Sequence, residues 1–478
     1  MDRPTHLNTP SHPYLSRSMW LRTVLVVLAL SLHMVVVASI VRQPLDINRF
    51  PQANAERRSW IWPLHNDTIH RKGPAADFFA IVHAGHNLKQ AHSPYAWPEY
   101  PRRTPYFFRF RYLPIVGQTI GRVAVEFKPR HAWWGWVALI ELSLVAFVVL
   151  FRHRTGDAVW LRCLGTCALL VSSPYLLELH MGQFTFITLA LTLSAIMLHV
   201  WPSANARQLG TEVLAASAYT VAVLLKLFPL AIAPALVRER RLWPMLGVAL
   251  GVLGVCCLAF FIPNPREWQV FFEANFSGST GGMHSGNHGV VYLLHVLGDA
   301  LGLWPDEQVW AQVATTFRNV VLVSSAALVL CGRAQKVVFG VCMMLLAHFV
   351  SYIDVWEHHM SGVVLIGLVM LVALHREDDT QRPSWLIPAI LVALVMLVLP
   401  TPYGLVDVDK NPRVHDPGKA WSTSVRAMLV LCKALPTLLL YTVCVREVTQ
   451  EGLGWPWSIT AQTSDSDTTP VQQALEGG

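Results

Sequence analysis

Apolar runs long enough to cross a bilayer recur from one end of this chain to the other. A spanning helix needs about 17 to 25 predominantly apolar residues. Such stretches run over Trp20 to Val41, Ala132 to Phe151, Val159 to Leu177, Phe184 to Trp201, Trp243 to Ile262, Ala311 to Cys331, Val337 to Tyr352, Met360 to Leu374, Trp385 to Pro400 and Val425 to Val445. Lipid cannot hydrogen-bond a bare backbone, so segments of this kind close their bonds internally as helices. With the region from Glu212 to Val237 added, the expectation is an all-α polytopic membrane protein of roughly 11–12 transmembrane helices. Composition agrees: of 478 residues 53% are apolar and 14% charged, far from the balance of a soluble globular domain.

The boundaries follow from the same pattern. Residues 1–19 read as a cytoplasmic N-terminal tail, 20–445 as a single transmembrane domain and 446–478 as a cytoplasmic C-terminal tail without a fold of its own. The first span is too long for a secretory leader and no small-residue cleavage site follows it, so it reads as a retained anchor. Residues 42–131 form one large polar loop between the first two spans.

Short loops rich in Lys and Arg stay in the cytoplasm. Arg152-His-Arg154, Arg207, Arg238-Glu-Arg-Arg241, Gly332 to Lys336 and His375 to Arg382 are the basic short loops, and they alternate with loops poor in cations. This places the 42–131 loop, Leu179-His-Met181, Pro263 to Gly298, Ser351 to His359 and Thr401 to Ser422 together on the extracytoplasmic face of a plasma (inner) membrane. Keeping Arg238 to Arg241 inside requires that the Glu212 to Val237 region turn back at Lys226-Leu-Phe-Pro229, as a broken or re-entrant hairpin with Lys226 at its tip. Backbone at such a tip must be buried in protein or line a wet cavity, and a Lys at that depth is usually functional or paired. The net charge of +7 suits contact with anionic membrane lipid. No basic run interleaved with aromatics points to nucleic acid. All eight cysteines fall in or beside apolar spans, away from any extracytoplasmic disulfide.

The outer face gathers candidate chemistry. Asp77 is followed by Phe78, Phe79, Ile81 and Val82, a spacing suited to a helix lying at the membrane interface. A second interfacial helix is expected over Tyr106 to Pro114, with Arg109 and Arg111 as lipid-surface anchors. Glu178, His180, Gln183, Lys226, His288 and the run Trp356-Glu-His-His359 face the same side.

Several of these segments, in this order, carry a resemblance. Asp77-Phe78 with Pro94-Tyr95 downstream, Tyr112-Leu-Pro114, Met181-Gly-Gln183 opening a span, Lys226-Leu-Phe-Pro229 and Trp356-Glu-His-His359 resemble the GT-C polytopic glycosyltransferases, and among them glycosyltransferase family 87, over about residues 20 to 375. The resemblance implies that the 20–445 domain is catalytic and inverts the anomeric centre of a sugar. It implies a polyprenyl-phosphate sugar as donor and a lipid-linked or glycan acceptor, with Asp77 as general base. Mannose is the expected sugar and arabinose its rival. No cofactor is implied, since the lipid-linked donor is itself a substrate. No metal is demanded either: no Asp-Asp or Asp-x-Asp lies near Asp77, and Asp407-Val-Asp409 in a late loop reads as solvated.

Elementary chemistry agrees with that assignment. An inverting transfer needs one carboxylate to take the proton of the attacking hydroxyl, within about 2.6–3.2 Å. A phosphate leaving group needs positive charge and hydrogen-bond donors in place of a general acid, whereas a glycosidase would want two carboxylates. His358, His359 and Lys226 are therefore the candidates for the donor phosphate, and Gln183, His180 and Glu357 for other substrate contacts. Plainer readings stand beside each. Asp77 can cap a helix, Lys226 can snorkel to headgroups, Gln183 can join two helices, and the two histidines can simply end a span. The competing class is a transporter or flippase for a lipid-linked or polar solute, though no internal repeat is visible. A non-catalytic envelope scaffold is the third.

Overall fold

A computed structural model describes residues 13–43, 45, 74–96, 110–201, 208–276, 284, 286–304, 306–334, 336–377, 382–406 and 421–454. Its helices are α1 (Pro13–Arg42), α2 (Ala76–Lys89), α3 (Pro129–Arg154), α4 (Val159–Leu170), α5 (Ser173–Met181), α6 (Thr185–Val200), α7 (Gln208–Leu225), α8 (Ala233–Arg238), α9 (Trp243–Phe261), α10 (Pro265–Phe276), α11 (Val290–Ala300), α12 (Glu307–Cys331), α13 (Val337–Ser351), α14 (Met360–Arg376), α15 (Leu386–Val398) and α16 (Thr423–Thr449). Among the described residues there is no strand, only two isolated bridges. The protein is an all-α, polytopic membrane protein.

Six stretches are long and apolar enough to span alone: Met19–Arg42, Pro129–Arg154, Arg240–Phe261, Glu307–Cys331, Glu357–Arg376 and Thr423–Thr449. A bent pair, α4 with α5, makes a seventh, its two halves meeting at 40°. The other expected crossings fall on apolar helices of 10–17 residues, shorter than the spans drawn from hydropathy. Outward-facing residues such as Leu28, Met34, Leu142, Val149, Val255 and Val323 are exposed, as suits a lipid-contacting surface. The bundle is also graded from rim to centre. The Glu357–Arg376 span is 89% buried inside protein, whereas Glu307–Cys331 is 17% buried and sits at the periphery.

A short helix inside a bundle needs partners for its terminal carbonyls. At the end of α15 the buried Lys433 ammonium supplies them, donating to the carbonyls of Met396 (3.2 Å), Leu397 (2.9 Å) and Leu399. Glu357 completes the cluster, 3.5 Å from Lys433 and accepting the Thr401 N–H at 2.9 Å.

The basic loops meet one another. Arg376 donates to the Arg154 carbonyl at 2.7 Å, Arg238 reaches the Val329 carbonyl at 2.8 Å and that of Gly332, and Lys336 pairs with Glu377 (2.9 Å) and Glu447 (2.6 Å). These contacts tie the C-terminal ends of α3, α8, α12, α14 and α16 into one charged layer.

The expected break at Lys226 is present. α7 stops at Leu225, and a 3-10 turn over Phe228–Ile232 precedes α8. The Tyr219 hydroxyl donates to the Pro229 carbonyl at 3.1 Å. Ten residues of continuous helix would separate those positions by about 15 Å, so the chain folds back over its own last turns.

Two expectations for the first loop are corrected. The apolar face of the Asp77 helix is covered by protein and not left for lipid: Phe78, Phe79, Ala80, Ile81, Val82 and His83 on α2 are all buried. Packing explains the difference. α2 crosses the segment Gly117–Gly121 so closely that a Cβ on Gly85 would lie 2.1 Å from the Gly121 carbonyl carbon. The second interfacial helix is also absent where it is described. Phe110–Leu113 is irregular and runs inward, with Phe110 and Leu113 buried. Arg109 lies outside the described residues, as do Asp407 and Asp409.

Candidate active site

The Met181-Gly182-Gln183 turn organises the site. Helix α5 ends with Gly182 at φ 71°, a left-handed conformation glycine adopts without a Cβ penalty. Against it packs the start of α2. The Ala75 N–H donates to the His180 carbonyl at 2.7 Å, and the Trp136 indole donates to the Gly182 carbonyl at 2.8 Å. A Cβ on Gly182 would sit 2.7 Å from the Phe78 Cβ. Asp77 and Gln183, far apart in sequence, are thereby fixed to one junction. Gly182→Ala is expected to introduce about 1–3 kcal/mol of backbone strain and to push α2 away. The check is the thermal midpoint in detergent, which should fall together with activity.

Asp77 stands in the first turn of α2, half-buried, where the helix dipole favours a negative charge. It lines a cavity of about 590 Å³ together with Arg111, Tyr112, Gln183, Thr185, Lys226, Arg318, His348, Tyr352, Asp354, Trp356, His358 and His359. So Asp77, Gln183, Lys226, His358 and His359 come together.

Lys226 is held by two of its three N–H groups, which donate to Gln183 Oε1 at 3.2 Å and Thr185 Oγ1 at 2.6 Å. The third remains for a ligand. Its ammonium also lies 5.1 Å from the Phe184 ring centre, a cation–π arrangement. Gln183 accepts in addition from the Tyr112 hydroxyl at 3.4 Å. Burial, and then the nearby Asp77 carboxylate, push the Tyr112 phenol above its ordinary range, so it stays protonated and donates.

Both histidines of the Trp356-Glu-His-His359 run line the cavity, their ring centres 4.3 Å apart. The Trp356 N–H donates to His359 Nδ1 at 3.0 Å. That bond fixes a neutral ring with its proton on Nε2, leaving Nε2–H as a donor.

Two candidates are placed elsewhere. Glu357 does not line the cavity; it is buried against Thr401 and Lys433 at the end of α15, where its charge is compensated. His180 is buried in the last turn of α5 and is not in the cavity wall; its contribution is the backbone carbonyl that anchors α2.

Other residues were not singled out for the site by sequence alone. Arg318, His348, Thr185 and Asp354 line the cavity from spans or span ends. Glu178 is fully buried behind it, accepting the Phe186 N–H at 2.5 Å and the Ser361 hydroxyl, so it ties the start of α6 to the start of α14 beside His359. Glu178 was already among the outer-face candidates, and a buried carboxylate needs such partners.

The loop carrying Asp354 and Trp356 is clasped from outside. Asn287 donates to the Ile353 carbonyl at 2.6 Å, accepts the Val355 N–H at 3.2 Å, and the His288 N–H donates to the Val355 carbonyl at 2.6 Å. The His288 ring shares a 2.8 Å hydrogen bond with the Tyr403 hydroxyl. Burial pushes His288 down to about 4 from the ordinary 6.5, with the Glu357 charge pulling the other way. The unfolded chain therefore takes up this proton first as pH falls. This contribution to stability is complete above about 6.5 and is lost between there and about 4. The thermal midpoint should decline over that window, and less steeply in His288→Gln.

Residues 126–353 match the family model described as glycosyltransferase family 87. This region is a family 87 glycosyltransferase domain. The matched stretch is just under half of the chain and contains Gln183, Lys226, Arg318, His348 and Tyr352; Asp77 precedes it, and His358 and His359 follow it. No curated protein and no solved structure matches the chain. The protein is thus a multi-pass membrane protein that carries a region matching this glycosyltransferase family.

Proposed function

We propose that this protein moves a sugar, mannose before arabinose, from a polyprenyl-phosphate donor to a lipid-linked or glycan acceptor, with inversion and with Asp77 as general base. One observation carries the reading: Asp77 shares a cavity within the bundle with Lys226, His358 and His359, while the other carboxylate of that wall, Asp354, lies 2.8 Å from His284. The acceptor oxygen attacks the anomeric carbon while Asp77 takes its proton. The bond from that carbon to the phosphate oxygen breaks with its electron pair, and the leaving group becomes a phosphate monoester with one more negative charge. The free N–H of Lys226 and the Nε2–H of His359 meet that developing charge, with His358 beside them. Gln183 and Thr185 hold Lys226 in place.

None of Arg154, Arg238 and Arg376 lines the cavity. Basic short loops are retained in the cytoplasm, which supports an extracytoplasmic reaction in the plasma (inner) membrane. Purified protein in liposomes, given polyprenyl-phosphate mannose and lipid acceptors, should transfer labelled mannose to lipid. Solute flux across the liposome with no transfer from any polyprenyl-phosphate sugar would replace this reading by a transporter.

A further inference from the structure

Two cationic side chains in the cavity wall are left over by that reaction. Arg111 and Arg318 both line the cavity, and among the described residues neither makes a hydrogen bond or an ion pair through its guanidinium. The other charged groups there are provided for. Lys226 is held by Gln183 and Thr185 and lies in the field of Glu178 and Asp77. Asp354 is 2.8 Å from His284. What remains is an excess of positive charge at the two arginines.

Arg318 is the more telling of the pair. It follows the first residue of α12, Glu307, by about 16 Å along the axis at the usual helical rise, so it stands well inside a spanning helix. At helical spacing, Leu322 shares its face and also lines the cavity, while Val320 and Val323 on the other side are exposed. A guanidinium at that depth is costly in lipid and marks a ligand path where it faces a cavity. Arg111 enters from the irregular Phe110–Leu113 segment, and Tyr352 lies within electrostatic reach of Arg111, Arg318 and Asp354 alike. The same cavity wall includes Leu227, Phe228 and Phe349, surface suited to an apolar chain.

We propose that Arg111 and Arg318 form a second anion subsite in this cavity, one that takes the phosphate of a lipid, apart from the Lys226, His358 and His359 cluster. The planar guanidinium fork matches two phosphate oxygens at once, and the apolar wall takes the chain that delivers the phosphate to this depth. The purpose of the subsite rests on the glycosyl-transfer reading; its chemistry does not. The donor's single phosphate is already assigned to Lys226, His358 and His359, so the lipid this subsite takes is a glycerophospholipid on the acceptor side.

Binding separates this inference from the transfer reaction. Purified protein in neutral detergent is titrated with a polyprenyl phosphate and, separately, with phosphatidylglycerol, each against its uncharged counterpart, polyprenol or diacylglycerol. Tryptophan fluorescence or native mass spectrometry provides the readout. Wild-type protein should prefer the phosphate-bearing lipid, and Arg318→Gln should lose about tenfold or more of that preference, with Arg318→Lys recovering part of it. Loss confined to phosphatidylglycerol is the expected result, whereas loss confined to polyprenyl phosphate places the donor phosphate on these arginines and overturns the proposal. Arg111→Gln, at an exposed position, repeats the test without disturbing a span. An unchanged preference for both lipids in Arg318→Gln and Arg111→Gln overturns the proposal, even if Asp77 proves to be the base. The same loss of preference in a protein that transfers no sugar leaves the subsite standing and removes only the reaction.

Discussion

Asp77→Asn is expected to lower sugar transfer by about 10²–10⁴-fold, the usual contribution of a positioned general base. The substitution keeps the size and hydrogen-bonding shape of the side chain and removes only its capacity to accept the acceptor's proton. Helix α2 should survive it, because the helix is fixed by the Ala75 to His180 bond and the Gly85 to Gly121 crossing, neither of which involves the carboxylate. Circular dichroism and thermal midpoint should match wild type while initial rates with polyprenyl-phosphate mannose collapse. A variant that transfers at the wild-type rate removes Asp77 as base. A variant that melts early would instead show that the carboxylate supports the fold, as a helix-capping residue would.

Lys226→Met should cost roughly 10²–10³ in turnover, the range found when one preorganised donor to a developing negative charge is removed. Methionine fills most of the same volume at the break between α7 and the Phe228–Ile232 turn, so a loss reports the ammonium and not a cavity. The division between kinetic constants is informative. Charge on the phosphate grows during the reaction, so the effect should fall mainly on kcat, with donor KM changing less. A rise in KM with kcat intact would assign Lys226 to ground-state binding. Lys226→Arg should rescue poorly, because a planar fork does not reproduce the paired contacts to Gln183 and Thr185.

Hydropathy and charge counting carried much of this architecture because they report on one strong constraint, the absence of water around a spanning backbone. They placed the break at Lys226 through the side on which Arg238 must emerge, and they put Asp77, Gln183, Lys226, His358 and His359 on one face. The family 87 resemblance is matched over residues 126–353. Aromatic spacing was a weaker guide. Phe78, Phe79, Ile81 and Val82 present the apolar pattern of an interfacial helix, but protein covers them as readily as lipid does, and only the Gly85 to Gly121 contact decides between the two. Arg318 went unremarked because the hydropathy of its span averages it away; a lone arginine well inside such a span was the signal. Glu357 misled for the opposite reason. Its neighbours His358 and His359 face the cavity, while Glu357 turns to Lys433, a partner seventy-odd positions on that no local pattern reveals.

The Lys433 contacts bear on how the protein comes to be made. Helix α15 is short, and the carbonyls at its end depend on an ammonium carried by α16, the last of the described helices. While the ribosome is still translating beyond α15, that end has no internal donor and Glu357 has no cation beside it. The region around His358 therefore reaches its final arrangement only after the C-terminal helix has entered the membrane. A chain released before Lys433 would carry every lining residue of the cavity and still lack the brace beside the last of them.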